Sequence, residues 1–297
     1  DLLIKAYTST KDFQTAVDKL SAISSMSLPQ QQVYQKLSYY LAAEHFLSKR
    51  YQQSITWFDK SIKYPIDNKL FALAYYWKAE AYYHTEDYGN AIESFKAFNL
   101  KDGSFLLEEY KQSHYSLAYT YYQSSKYKDA ILWFRKYISL SDDIQKQTDA
   151  YLRLGDAYFM IQDYSRAQEF YGLAEESGAF DVDYALHQQI QCFGLTNQRD
   201  KKRTALSQLI SDYPQSLYND DAMLNLSTMY LNEDRQDESV ALLSDLIKKH
   251  PQSILVKTAL LKLGLNFYNE SVSDSAIYYF KSVIDNYPNT KESKEAL

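Results

Sequence analysis

The sequence predicts an all-α fold of about eight stacked helix–turn–helix hairpins. Three observations carry this. Turn residues are scarce: 7 Gly and 5 Pro in 297 residues, against a usual combined share of roughly 12%. That rules out a β-sandwich or barrel, which turns every 8–12 residues or so. Three prolines, Pro214, Pro251 and Pro288, stand 37 residues apart in Tyr-Pro-Gln-Ser, His-Pro-Gln-Ser and Tyr-Pro-Asn-Thr. Ala222, Ala259 and Ala296 follow them at one fixed offset. Finally, a five-position frame with spacings six, three, four and three recurs along the whole chain.

The frame is clearest in Tyr82, Tyr88, Ala91, Phe95, Phe98. It opens the chain as Tyr7, Phe13, Ala16, Leu20, Ile23 (hairpin 1–27) and returns as His45, Tyr51, Ser54, Phe58, Ser61 (30–64). Residues 69–98 hold the clear copy, with Leu70, Leu73, Trp77 and Ala81 forming one helical stripe before the polar break at 85–90. Tyr121, Tyr127, Ala130, Phe134, Tyr137 places a hairpin over 105–140, and Tyr158, Tyr164, Ala167, Tyr171, Ala174 another over 144–177. A degraded copy, Phe193, Arg199, Lys202, Leu206, Leu209, fills 183–213. Tyr230, Gln236, Ser239, Leu243, Leu246 marks 217–250, and Phe267, Ser273, Ala276, Phe280, Val283 marks 254–287. Residues 289–297 read as the start of a further or capping helix. Apolar residues three and four apart share one face of a helix, and a proline ends the helix before it. The polar stretches between frames read as inter-repeat linkers, so the chain is expected to be one array over 1–297. Both ends look cut mid-array, and the opening Asp1 points to a processed form or a fragment of a longer protein.

Composition excludes several function classes. Net charge is −6 with pI near 5.5, the reverse of a nucleic-acid binder's basic face. No apolar run approaches the roughly 20 residues of a membrane span. Seven scattered Gly build no phosphate loop, and no Gly-x-Ser-x-Gly elbow occurs. The five His form no metal-ligand spacing; His45 and His250 stand where other copies place aromatics and read as aromatic substitutes. Cys192, the lone cysteine, reads as a buried inert thiol. The pairs Glu108-Glu109, Glu175-Glu176 and Asp220-Asp221 are adjacent, so they diverge on a helix and suit helix ends or solvent. The basic run 199–203 reads as a solvated turn. No catalytic residue, cofactor site or metal site is expected.

The repeated small residue of the first helix (Ala42, Ala79, Ala118, Gly155, Ser227, Gly264), the aromatic three residues on, the turn aromatic and the small residue of the second helix resemble the tetratricopeptide-repeat family across essentially the whole chain. Ile190 and Lys202 depart from the pattern at small-residue places, which predicts loose or unusually angled packing in 183–213. The period near 37 and the Tyr-Pro-Gln-Ser signature of 213–297 are similar to a narrower set: envelope repeat proteins of Gram-negative bacteria, of the outer-membrane assembly lipoprotein (BamD) and Tol–Pal coordinator types. The resemblance implies a right-handed superhelical solenoid, a non-catalytic interaction role, and a periplasmic or cell-envelope location. A cytoplasmic regulator carrying such repeats, and an enzyme with an unrecognised site, are the alternatives.

The resemblance also places a peptide-binding groove along the first helices. Projected on that face are Tyr39, Phe46, Tyr76, Tyr83, His84, Tyr115, Tyr119, Tyr122 and Phe159, an aromatic strip suited to a protein or peptide partner. The alternative is that some of these rings pack between hairpins. The Lys and Asn of family members that clamp a C-terminal carboxylate are missing: those places hold Tyr76 and Glu80, or Tyr115 and Tyr119. Nucleic acid and small-molecule substrates are not expected partners, and a membrane is expected only indirectly, through a parent protein.

Overall fold

The computed structural model describes residues 12–297. The expected helix containing Tyr7 falls outside the described residues. Among the described residues sixteen α-helices follow in order: α1 (Phe13–Ser21), α2 (Leu28–Leu47), α3 (Tyr51–Ile62), α4 (Asn68–His84), α5 (Tyr88–Asn99), α6 (Glu109–Gln123), α7 (Tyr127–Ile138), α8 (Ile144–Met160), α9 (Tyr164–Ser177), α10 (Val182–Leu195), α11 (Arg199–Asp212), α12 (Asn219–Leu231), α13 (Gln236–Lys249), α14 (Val256–Asn269), α15 (Ser273–Asn286) and α16 (Lys291–Glu295). No strand occurs among the described residues. The chain divides into two compact units, Asp1–Ile161 and Gln162–Leu297, with the division inside the stretch 144–177 that the sequence frame reads as one hairpin. Within each unit the chief contacts join helices consecutive in the chain, the packing of a repeat stack.

The turns between paired helices are built alike. A non-glycine residue adopts the left-handed conformation at Lys49, Glu86, Ser125, Gln162, Asn197, Asp234 and Ser271, with φ between 55° and 64°. The next amide reaches back to a carbonyl in the last turn of the first helix: Asp87 N–H to Tyr82 O at 3.0 Å, Lys126 to Tyr121 at 2.9 Å, Val272 to Phe267 at 2.8 Å. This satisfies carbonyls the helix end would otherwise leave open. The scarcity of glycine therefore does not come from turns that avoid the left-handed region. The chain enters it with ordinary residues and bears the steric cost.

Inside a hairpin, the small residue of the first helix faces the large residue sixteen positions on. A Cβ built on Gly264 would lie 2.6 Å from the ring of Phe280. Ala42 and Phe58, both fully buried, belong to one core cluster in the first unit. Residues 183–213 hold both departures from the small-residue pattern. Ile190 is buried, and its frame partner is Leu206 instead of an aromatic ring, so bulk has moved from one helix to the other. Lys202 fits because position 194, where the other first helices carry residues such as Phe46, Tyr83 and Tyr122, is glycine. Lys202 Nζ lies 3.5 Å from where a Gly194 Cβ would stand. Cys192 is fully buried, and burial pushes its thiol up to about 12.

The linkers are closed by buried amides. Gln35, with no solvent exposure, accepts from Asp67 N–H (2.7 Å) and donates to Asp67 O (3.0 Å), binding the first hairpin of its pair to the start of the next. In the second unit, Asn219 Nδ2 donates to the carbonyls of Leu209, Ile210 and Tyr213, at 3.4, 3.3 and 3.1 Å. Its Oδ1 lies 3.0 Å from His250 Nε2. His250 is thus more than an aromatic substitute: it ties the end of α13 to the start of α12. His45 likewise accepts through Nδ1 from Arg50 Nε at 2.8 Å. The residues before the prolines, Tyr213, His250 and Tyr287, have left the helical region (φ −125°, −123°, −132°), as a following proline requires. Asp220 stands in the first turn of α12, a helix end as expected, and also accepts from Ser253 Oγ at 2.5 Å, as Asp183 accepts from Ser216 Oγ at 2.7 Å.

Two substitutions test this packing. Glu86→Gly removes a left-handed penalty of about 1–2 kcal/mol while adding about 0.5–1 kcal/mol of unfolded-state entropy. The thermal midpoint of the first unit is expected to rise by roughly 1–4 °C; a lower midpoint counts against a strained turn. Gly264→Val drives two methyl groups into the Phe280 ring, and a loss of about 1–3 kcal/mol in denaturant unfolding of the second unit is expected.

Candidate functional site on the first helices of the first unit

Four first helices supply the candidate residues: α2, α4, α6 and α8, of which α2 touches α4 and α4 touches α6. Residues 37–39 positions apart recur at the same helical phase on these helices, so like positions line up across neighbouring repeats. The nine strip residues separate into three groups.

Tyr76 is a correction. Its ring is 4% exposed and packs 5.1 Å from Trp77, 5.4 Å from Phe98 and 6.0 Å from Phe95. It is a core ring whose phenol hydrogen-bonds Glu80, and burial raises its pKa. The position falls where α4 meets α5, so its face turns to the partner helix. Tyr39 is half-buried against Phe58 at 5.7 Å, and its hydroxyl takes a hydrogen bond from Trp77; burial raises its pKa too.

Phe46 and His84 form a second group between neighbouring repeats. Phe46 lies 5.2 Å from Trp77, 5.4 Å from Tyr51 and 5.9 Å from His84. The exposed His84 ring stacks on Tyr51 at 4.6 Å and 10°. Phe159, near the end of α8, is partly exposed.

The third group comes together around a cavity. Tyr83, Tyr115 and Tyr119 line a space of about 230 Å³ together with Glu80, Gln112 and Ser116. Tyr83 leans on Tyr88 at 5.9 Å, and Tyr122 leans on Tyr127 at 5.6 Å in the next repeat. Tyr115 and Tyr119 lie 4.9 Å apart and both donate to Asp149 Oδ2, Tyr115 at 2.6 Å. Burial and then the Asp149 carboxylate raise both phenols. Behind them Arg153 bridges Asp149 (3.6 Å) and Asp156 (2.6 Å). Burial opposes the guanidinium charge, but Asp156, Tyr119 and Asp149 outweigh it and raise its pKa. Across the α4–α6 seam, Ser116 Oγ donates to Glu80 Oε1 at 2.7 Å. Across the α6–α8 seam, Lys146 Nζ donates to Gln112 Oε1.

Glu80, Gln112, Asp149 and Arg153 are site residues that the aromatic projection omits. Their signal in the sequence is the phase they share: Gln112 and Asp149 are 37 apart, and Glu80 and Tyr119 are 39 apart. Polar residues at a phase where Leu73 and Trp77 stand elsewhere mark the same face. The arrangement holds hydroxyls, amides and carboxyls over aromatic walls. That suits recognition of side chains and backbone.

Burial raises the pKa of Glu80, ahead of the opposing hydrogen bonds from Ser116 and Tyr76. A carboxyl raised on folding adds nothing at a pH where both states are protonated, and destabilises the fold once pH climbs past its unfolded value. Glu80→Gln keeps the acceptor for Ser116 and removes the charge. The thermal midpoint gained by the variant is therefore expected to grow between pH 4 and pH 7; a gain that is flat or falling with pH contradicts the buried-carboxyl account.

Comparison with known proteins places the chain. The family model described as YfiO, outer membrane lipoprotein, matches residues 68–234, more than half of the chain. A tetratricopeptide-repeat model matches 221–253 and 258–290. No curated protein sequence matches at a significant level. Among solved structures, the C-terminal part of a TPR repeat-containing protein from Cytophaga hutchinsonii superposes with a TM-score of 0.65 at 14% identity, over 87% of this chain and 99% of that one. A tetratricopeptide-repeat protein from Parabacteroides merdae gives 0.50 at 11% identity, over 89% and 97%. A signal transduction ATPase with a tetratricopeptide-repeat sensor, from Pyrococcus horikoshii, gives 0.54 at 15% identity, over 89% of this chain and 45% of that one. At such identities the structures speak for the fold alone. The repeat frame, the hairpin stack and the family match together make this chain a tetratricopeptide-repeat protein that belongs to the YfiO family of outer membrane lipoproteins.

Proposed function

We propose that the chain is a non-catalytic protein–protein interaction scaffold in a bacterial cell-envelope assembly, and that it binds a peptide segment of its partner on the first-helix face of the first unit. The observation that carries the site is the cavity bounded by Glu80, Tyr83, Tyr115, Ser116 and Tyr119, where residues of adjacent repeats converge. Each hairpin uses its remaining apolar faces to stack on its neighbours, so the first-helix face is free to bind without loss to the core. Tyrosine suits such a surface: a large ring, a hydroxyl, and few rotors to freeze on binding. Tyr115 and Tyr119 are held by Asp149 before any ligand arrives, which lowers the ordering cost of association. The envelope location is supported by the family's description as outer membrane lipoproteins. No helix among the described residues is long and apolar enough to cross a membrane.

The test is a peptide display selection against the purified chain, followed by affinity measurement on variants. Tyr83→Ala and Tyr122→Ala together are expected to weaken the selected peptides at least tenfold, since each ring contributes on the order of 1–2 kcal/mol at an interface centre. Both rings are partly exposed, so the helical circular dichroism and its melting curve should hold. Selected peptides that bind the double variant as well as the parent would remove this face as the binding site.

A further inference from the structure

We propose that the cavity between α4 and α6 takes a basic side chain, arginine or lysine, of the bound segment, with Glu80 as its counter-charge and Tyr83, Tyr115 and Tyr119 as its aromatic walls. This rests on the peptide-binding reading above and specifies what that site selects.

The first ground is a carboxyl without a salt-bridge partner. Glu80 lines the cavity and is held by hydroxyls, from Ser116 Oγ at 2.7 Å and from the Tyr76 phenol, and it forms no ion pair with a lysine or arginine among the described residues. Glu80 is half-buried with no ion-pair partner among those residues, and a ligand cation supplies the pairing. Its Ser116 bond fixes the carboxyl's orientation in advance.

The second ground is the lining. Three phenol rings bound a space of about 230 Å³. Ring faces attract cations, and a guanidinium or ammonium seated among several rings and one carboxyl is held by both effects. The alkyl stem of either residue packs on the same rings.

The third ground is the local charge. Glu80, Glu109, Asp149 and Asp156 act on the tyrosines of this face against Arg153, while Lys146 stands 5.8 Å from the Tyr115 ring and, with His84, acts on Glu80 from a distance. Arg153 is already engaged by Asp149 and Asp156, and Lys146 donates to Gln112. The face is net acidic before a ligand binds. An anionic group, such as a terminal carboxylate, meets Glu80 and finds no free cation inside the cavity lining, which contains no Lys or Arg.

The experiment uses the strongest peptide from the display selection and the whole chain. Each basic residue of that peptide is replaced in turn: arginine by citrulline or lysine, lysine by norleucine or arginine. Dissociation constants are measured by calorimetry on the parent chain and on Glu80→Gln. The expected result is one basic residue whose neutral isostere costs at least tenfold on the parent and under threefold on Glu80→Gln. The arginine–lysine exchange then tells which cation fits better. Loss of equal size on both proteins, or no basic residue that matters while Tyr83→Ala still weakens binding, overturns the cation inference and leaves the peptide-binding reading intact. A selection in which no peptide depends on Tyr83 or Tyr122 overturns both. The citrulline and norleucine arms on the parent chain stand without any variant, so a poorly folding Glu80→Gln would not shield the proposal.

Discussion

The close approach of a small residue on the first helix to a large residue on the second, as at Gly264 and Phe280, sets the terms for the rest of the molecule. At Gly264 the approach leaves no room even for a methyl group before Phe280. Two helices that come this near bury a common face, yet each still has an apolar flank that a single hairpin cannot cover. Neighbouring repeats must cover it, so packing fixes a fixed repeat length and a fixed phase. At Ile190 and Leu206 the larger-than-usual residue stands on the first helix and a leucine replaces the ring on the second, with both buried in one core cluster. Lys202 is a parallel case outside the core: its long side chain is accommodated because Gly194 opposite has none.

Bringing helices together also buries backbone ends, and the chain meets that demand with side-chain amides. Gln35 closes one linker in the first unit, and Asn219 closes another in the second by gathering three carbonyls. An unsatisfied buried polar group costs more than a typical hydrogen bond contributes, so these amides specify register as well as adding stability. The same economy shows in the hairpin turns, where residues as different as Lys49, Glu86 and Ser125 accept the left-handed conformation because the tightened helix end requires it.

The first-helix face uses the regularity of the stack in another way. Like positions in successive repeats stand side by side, so a polar residue at one phase meets a polar residue from the next repeat: Ser116 with Glu80, Lys146 with Gln112, Tyr115 with Asp149. A ladder of this kind holds aromatic rings in place without sinking them into the core. Tyr76 and Tyr115 occupy the same phase, 39 residues apart, and have different fates: one is nearly enclosed by Phe95, Phe98 and Trp77, while the other is partly exposed at a cavity.

Period and helix content were legible in the residues themselves, because each follows from local rules. Apolar spacing of three and four dictates a helical face, a proline ends a helix, and a small residue recurring every 35–39 positions requires a neighbour to pack on. The tetratricopeptide stack was therefore contained in the sequence. What the sequence could not decide is whatever depends on contacts between residues some 30 positions apart: that Glu80 stands under Ser116, that Asp149 gathers two phenols, that His250 reaches Asn219. Nor could it separate the enclosed Tyr76 from the accessible Tyr115. Helical phase places a residue on a face, but only the angle and distance of the neighbouring helix determine whether that face meets protein or solvent.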